Sequence, residues 1–207
     1  MSNITLYRHA LSGHSHRAQL LLSLLGLDAT LVDVDLAAGE HKQAAFLAKN
    51  RFGQVPVLED GAAVIADSNA ILVYLALQYD DSKTWLPSDP LAAAEVQRFL
   101  STAAGQIASG PAAARLVNVF GAALDHQRAV AVAHNVLSVL ESHLDGREWL
   151  VGNKPTIADV ANYAYIAHAP EGDVSLDKYP HVRAWLGRIA ALPGFVPMQA
   201  TAVGLAA

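Results

Sequence analysis

The sequence predicts an α/β domain with its elements in the order βαβ-ββα, followed by a domain built only of helices. Three observations carry this. Short apolar runs with strand spacing alternate with helical spacing through residue 79. A polar, proline-bearing stretch then covers residues 80–89, and beyond it no segment alternates convincingly while several repeat with a helical period. The expected organisation is therefore a first domain over residues 1–79, a linker over 80–89 and a second domain over 90–207.

Residues 4–7, Ile4-Thr5-Leu6-Tyr7, read as a short strand. Residues 17–25 read as a helix with Leu20, Leu21, Leu24 and Leu25 on one face, stopped by Gly26. Residues 31–36 place acidic residues between apolar ones, Val32-Asp33-Val34-Asp35-Leu36, as a half-buried strand does. Strand, helix and strand in this short span make a βαβ unit. Residues 55–58 and 63–65 form a second pair of strands around Glu59-Asp60-Gly61, and a helix follows from Asn69. The order βαβ then ββα matches a thioredoxin-like domain. In the second half, Asp89-Pro90 reads as an N-cap with proline at the first helical position. Val96, Phe99, Leu100, Ala103, Ala104 and Ile107 then follow an i, i+3, i+4, i+7 pattern. Further helices are expected around 129–144, 156–168 and 181–192, and Thr156-Ile157-Ala158-Asp159 reads as a capping box with Asp at its last position.

Composition excludes several classes of function. The 207 residues are ample for a packed core, and the formal charge of −5 with only 14 basic residues offers no basic stripe for nucleic acid. The apolar runs at 20–27 and 62–77 are too short or too interrupted to span a bilayer, so no membrane span is expected. Met1-Ser2-Asn3-Ile4-Thr5 lacks the basic start and apolar stretch of a secretory signal, which leaves a cytoplasmic location as the expectation. There is no cysteine, so disulfides, cysteine metal sites and Cys-x-x-Cys chemistry are excluded, and any reacting sulfur must come with a ligand. His14 and His16 stand two apart, a spacing that diverges at a helix start, and no acidic third ligand is near in sequence; no metal site is expected.

The segment most suggestive of function is Gly53-Gln54-Val55-Pro56, followed after a turn by Asp67-Ser68-Asn69-Ala70-Ile71. Proline cannot donate to a ladder, so Pro56 belongs at an edge, a bulge or a cis turn. A cis bond there would leave the backbone N–H and C=O of Val55 to an extended peptide ligand. Asp67 and Ser68 lie where an apolar helix begins, and the free N–H groups and positive dipole end of a helix start suit a carboxylate. Both pieces also fit a surface hairpin followed by an N-capped core helix. A third piece, Ser12-Gly13-His14-Ser15-His16-Arg17, joins the first strand to the first helix. A hydroxyl there would donate a hydrogen bond to a bound thiolate, aided by the helix dipole. Lowering a thiol from about 8.5 by about two units takes roughly 2.7 kcal/mol, within reach of one charge-assisted bond plus the helix terminus.

Taken together these motifs resemble the glutathione-binding half of the glutathione S-transferase family. The resemblance implies that the residue before a cis-proline, Val55, pairs through its backbone with the cysteinyl unit of glutathione, and that Asp67 and Ser68 hold the γ-glutamyl end. The family more often has Glu or Gln where this chain has Asp67. The Ser-x-x-x-x-Arg spacing from Ser12 to Arg17 is similar to the serine-type phi and zeta classes, which implies Ser12 as the stabiliser of the glutathione sulfur. Ser15 competes as a plain N-cap, a shorter spacing would shift the task to Gly13, a backbone N–H or His14, and Tyr7 resembles the catalytic tyrosine of another branch. Glu40-His41-Lys42 looks like the phi-class His-Lys pair that meets the glycyl carboxylate, and Gln54 adjoins the same site.

The resemblance further implies a cytosolic homodimer, with Arg51-Phe52 suited to a subunit contact, and glutathione as co-substrate without a metal. It implies conjugation of the glutathione thiolate to a small hydrophobic electrophile, a detoxification chemistry; by their positions in the chain, His14, Ala104, Ile107 and Arg115 are expected to line the substrate pocket. Peroxide reduction, dehalogenation or isomerisation on the same site, and a non-catalytic binding or scaffold protein, are the rival readings. An intact sulfur stabiliser beside a γ-glutamyl clamp weighs against a scaffold.

Overall fold

The computed structural model describes residues 4–202; residues 1–3, on which the signal-sequence reading partly rests, and residues 203–207 lie outside it. Contacts divide the chain into two compact units, one of residues up to 83 joined by 193–199, the other of 84–192 joined by the residues from 200 onward. Residues 193–199, expected in the helical domain, thus pack with the first unit.

The first unit holds strands β1 (Ile4–Arg8), β2 (Ala29–Asp33), β3 (Val57–Asp60) and β4 (Ala63–Ala66) in the spatial order β2-β1-β3-β4. β1 and β2 are parallel, while β1 with β3 and β3 with β4 are antiparallel. Strand alternation sorts the side chains. Ile4, Leu6 and Leu58 are fully buried, as are Leu20, Leu21, Ile71, Leu72 and Leu75 of helices α1 (Gly13–Leu24) and α3 (Ser68–Tyr79), which pack on each other and on the sheet. A second cluster joins Val34, Phe46 and Val57 to Tyr7, Leu36, Val55 and Ala66, with Phe46 supplied by the short helix α2 (Ala44–Leu47). β2 is shorter than its apolar run, and Val34, just past its end, donates its N–H to the Arg8 carbonyl at 2.7 Å.

α1 ends as expected, with Gly26 N–H on the Ser23 carbonyl and Leu27 N–H on that of Leu22, the paired bonds of a Schellman stop. Its start differs. The helix begins at Gly13 rather than Arg17, because Ser15, His16 and Arg17 are buried polar residues that apolar spacing cannot register. His16 donates from Nε2 to the Val196 carbonyl at 2.8 Å, which fastens the returning segment 193–199 to this unit.

In the second unit, α4 (Pro90–Thr102) opens on Asp89, whose carboxylate accepts from Ala92 N–H. The periodic run does not continue as an α-helix: residues Ala103–Ala112 wind as a π-helix around Pro111, which has no N–H to give, before α5 (Ala113–Phe120) resumes. The looser winding leaves Ala104 exposed while Ala103 and Ile107 are buried. α6 (His126–His143), α7 (Ile157–Ala167) and α8 (Pro180–Ala190) complete the unit. The capping box at Thr156 and Asp159 is present on both sides, and the buried Asp159 also accepts from Leu150 N–H at 3.0 Å and Trp185 Nε1 at 2.8 Å. Among the described residues no helix is long and apolar enough to cross a membrane.

Candidate functional site

Three loop-to-element junctions of the first unit carry the residues singled out in the sequence, and each is fixed by its own backbone chemistry. The first is the start of α1. Ser12 is extended, and its side-chain oxygen accepts from Ser15 N–H at 3.2 Å, so Ser12 is the N-cap. The plain capping role expected of Ser15 therefore falls to Ser12, while Ser15 is buried and takes the His9 N–H on its hydroxyl. A capping serine uses an acceptor lone pair, which leaves its O–H to donate elsewhere.

The second junction is the loop before β3. Asn50 pins it, donating from Nδ2 to the Gln54 carbonyl at 2.8 Å and accepting the Phe52 N–H at 3.0 Å. The Val55-Pro56 bond is cis. Among the described residues no protein group pairs with the backbone N–H or C=O of Val55. Gly53 takes φ 58°, and a Cβ there would stand 2.8 Å from the His41 carbonyl oxygen and 2.9 Å from Lys42 Nζ. That close approach lets the Lys42 ammonium reach the Gly53 and Phe52 carbonyls at 3.1 and 3.4 Å. His41 Nδ1 is buried and has no hydrogen-bond partner among the described residues.

The third junction is the start of α3. Asp67 sits at φ 76°, an unfavourable conformation for a residue with a side chain, and one carboxylate oxygen, Oδ1, accepts from both Asn69 and Ala70 N–H at 2.9 Å. The other oxygen of this exposed residue faces no partner among the described residues. Ser68, only 4% exposed, accepts from Arg17 Nη1 at 3.2 Å, and the same nitrogen reaches Asn69 Oδ1 at 2.9 Å. The buried Arg17 thus ties the first helix start to the third junction. His14 completes the group with Nδ1 at 3.4 Å from Ser68 Oγ. Burial and the neighbouring Arg17 charge push the His14 imidazole down to about 3, so it is neutral at physiological pH.

A cavity of about 640 Å³ lies over the second and third junctions and is lined by His14, His41, Lys42, Gln54, Val55, Pro56, Asp67 and Ser68. Its remaining walls are Leu36, Asn50, Phe52, Gly53 and Ala66. Ser12 does not line it, although it stands two residues before His14. Asn50 was not singled out beforehand; its signal was an Asn two residues ahead of the N–H its side chain accepts, the pattern of an Asx turn.

Other expected residues lie elsewhere. Ile107 and Arg115 are 0% and 1% exposed, and the Arg115 guanidinium is held by Glu171 at 2.5 Å inside the helical unit. Both are core residues, which corrects the expectation that they line a substrate pocket; Ala104 is exposed. The Tyr7 hydroxyl donates to Glu59 at 2.9 Å, and Glu59 is ion-paired with Lys49, whose ammonium also lies 4.7 Å from the centre of the Tyr7 ring. That phenol is occupied by the sheet. Among the described residues no group of three His, Cys, Asp or Glu side chains could hold a metal.

Fold and site together define a protein of two units whose thioredoxin-like unit carries a cavity lined by cationic Lys42, anionic Asp67 and the backbone of Val55 beside a cis-proline. The family model for the glutathione S-transferase N-terminal domain matches residues 2–77, and that for the C-terminal domain matches 120–193. Glutathione S-transferase 3 of Zea mays is 36% identical over 94% of this chain and 92% of its own length. Human glutathione S-transferase theta-2 is 30% identical over 92% and 82%. Among solved structures, a glutathione S-transferase from Pseudomonas fluorescens superposes with a TM-score of 0.89 at 33% identity, covering 94% of this chain and 98% of that one. A glutathione transferase homologue from Drosophila mojavensis with bound glutathione gives 0.85 at 28%, covering 93% and 90%. The chain belongs to the glutathione S-transferase family.

Proposed function

We propose that this protein conjugates the thiolate of glutathione to small hydrophobic electrophiles, with the cavity of the first unit as its glutathione site. The γ-glutamyl end lies at the start of α3, with its ammonium on the unengaged oxygen of Asp67 and its carboxylate on Ser68. The cysteinyl unit pairs with the backbone of Val55 beside Pro56. The glycyl carboxylate meets Lys42 and His41, with Gln54 alongside. The Ser12 hydroxyl, its acceptor side spent on the helix cap, donates to the sulfur and favours the thiolate. The thiol proton leaves to solvent. The thiolate then forms a carbon–sulfur bond at the electrophile, and the leaving group departs with its electron pair.

The observation that carries this reading is that all seven residues assigned to glutathione from the sequence line one cavity, with cationic Lys42 in one part and the anionic Asp67 and start of α3 in another. A tripeptide with a carboxylate at each end and an ammonium at one of them complements that arrangement. A cytoplasmic, homodimeric enzyme of detoxification fits the same reading, with exposed Arg51 and Phe52, the latter 82% exposed, as a subunit contact.

Ultraviolet titration of bound glutathione tests it. Wild type should depress the thiol pKa, Ser12→Ala should return it towards the free value, and Asp67→Ala should mainly weaken binding. Glutathione bound with an unshifted thiol pKa would sink the role of Ser12.

A further inference from the structure

We propose that His14 is a positioning residue for glutathione, acting through the Ser68 hydroxyl so that Ser68 donates its proton to the γ-glutamyl carboxylate. The inference rests on the cavity being the glutathione site.

A serine hydroxyl has one proton and two lone pairs. At Ser68 one lone pair is taken by Arg17 Nη1, and among the described residues His14 Nδ1 is the other side-chain group at the oxygen, at 3.4 Å. His14 lies in the first turn of α1 and lines the same cavity as Ser68, so ring, hydroxyl and ligand space adjoin. Two arrangements follow. With Nδ1 bare, the Ser68 proton is drawn to the ring and the cavity meets no donor from this side chain. With the proton on Nδ1, the ring donates to Ser68 Oγ, both lone pairs are filled, and the Ser68 proton is left to point at the ligand. A carboxylate in the cavity selects the second arrangement, because a hydrogen bond to an anion is roughly twice as strong as one between neutral groups.

The neutrality of His14 matters to this exchange. In a ring held down at about 3 by burial and Arg17, Nε2 releases a proton to solvent as Nδ1 gains one, so the change of tautomer takes up no net proton and places no second positive charge beside Arg17. An imidazolium that titrates at about 3 is too acidic to hold the thiol proton at physiological pH, so His14 does not serve as its acceptor. Its task lies at the carboxylate end of the ligand.

A double-mutant cycle reads the coupling directly. Glutathione dissociation constants are measured calorimetrically for wild type, His14→Leu, Ser68→Ala and the double variant, together with KM and kcat against 1-chloro-2,4-dinitrobenzene. His14→Leu should weaken glutathione binding about three- to tenfold, the range of one supporting hydrogen bond, raising KM while kcat at saturating glutathione holds. In the Ser68→Ala background the same change should cost nothing further. His14→Asn, whose amide reaches the place of Nδ1, should recover most of the affinity, and His14→Gln, whose amide reaches the place of Nε2, should not. Equal losses in both backgrounds overturn the inference. So does equal binding by the Asn and Gln variants, a comparison that decides the matter if His14→Leu does not fold. Wild type that fails to bind glutathione at all overturns the parent reading of the cavity, an outcome distinct from loss of coupling in a protein that binds.

Discussion

Gly53→Ala and Gly61→Ala form a pair in which one variable is held constant. Both glycines have a left-handed backbone, at φ 58° and 57°, so an alanine at either position carries the same conformational penalty of about 1–2 kcal/mol. Around a Cβ at Gly61 nothing lies within 4 Å, and the residue only turns the hairpin from Asp60 to Ala63. A Cβ at Gly53 would meet the His41 carbonyl oxygen at 2.8 Å and Lys42 Nζ and Cδ at 2.9 and 3.1 Å. The ammonium can move aside; the carbonyl is backbone and must carry its loop with it, for about another 1–3 kcal/mol of overpacking. Gly61→Ala should therefore lower Tm by roughly 2–8 °C at about 2–4 °C per kcal/mol, and Gly53→Ala by more. The functional difference is sharper. Displacing Lys42 removes the cation proposed for the glycyl carboxylate, so calorimetry should find glutathione bound at least about tenfold more weakly by Gly53→Ala and with unchanged affinity by Gly61→Ala. Equal Tm losses and equal glutathione affinities in the two variants would refute the argument that this loop is shaped by its contact with Lys42.

Asp159→Ala strips the acceptor from four buried donors, Leu150 N–H, Thr156 N–H, the Thr156 hydroxyl and Trp185 Nε1, at roughly 1–3 kcal/mol for each one left unpaired. Chemical denaturation should find at least about 3 kcal/mol lost, and a loss under 1 kcal/mol would contradict it. Tyr7→Phe should leave the pKa of bound glutathione where wild type has it, since that phenol donates to Glu59; a rise on ultraviolet titration would return Tyr7 to the sulfur. Burial opposes ionisation of Glu171, but hydrogen bonds from Thr201, His168 and Arg115 outweigh it and hold the carboxyl at about 2. A carboxyl whose folded pKa lies below its unfolded value stabilises fully above the unfolded value, near 4.5, and loses that contribution as pH falls towards 2. Glu171→Gln should accordingly flatten the fall in stability measured between pH 4.5 and 2, and an unchanged acid limb would count against the network.

The parts of this fold legible in the sequence are those whose signal lies within a few neighbouring residues. Gly26 stops α1, Asp89-Pro90 starts α4 and Thr156 with Asp159 starts α7 by local hydrogen bonds that need no distant partner. The strands announce themselves by alternation, although β2 stops at Asp33 short of its apolar run. What the sequence hid depends on contacts far along the chain. Arg115 reads as a pocket residue until Glu171, 56 positions later, is seen beside it. The π-helical winding after α4 is invisible to a helical period, which is why Ala104 fell on the wrong side. The cavity-lining residues His41, Lys42, Gln54, Val55, Pro56, Asp67 and Ser68 lie in three short contiguous motifs, whereas Asn50 stands outside all three.

The exchange of roles between Ser12 and Ser15 bears on how such sites are read. A helix N-cap and a ligand-binding residue are commonly weighed as alternatives, yet at both helix starts here one side chain has the chemistry for both. Ser12 caps with a lone pair and keeps its proton; Asp67 caps two N–H groups with one oxygen and keeps the other. The group left over at Ser12 is a donor, of the same sense as the helix N–H groups beside it and suited to an anion such as a thiolate, whereas that at Asp67 is an acceptor, of the opposite sense and suited to a cation such as an ammonium. A cap formed by backbone alone would leave only N–H groups and would favour anions at both places. Capping by these two side chains therefore allows one helix start to hold a negative group and the other an end that bears both charges, as the γ-glutamyl end of glutathione does.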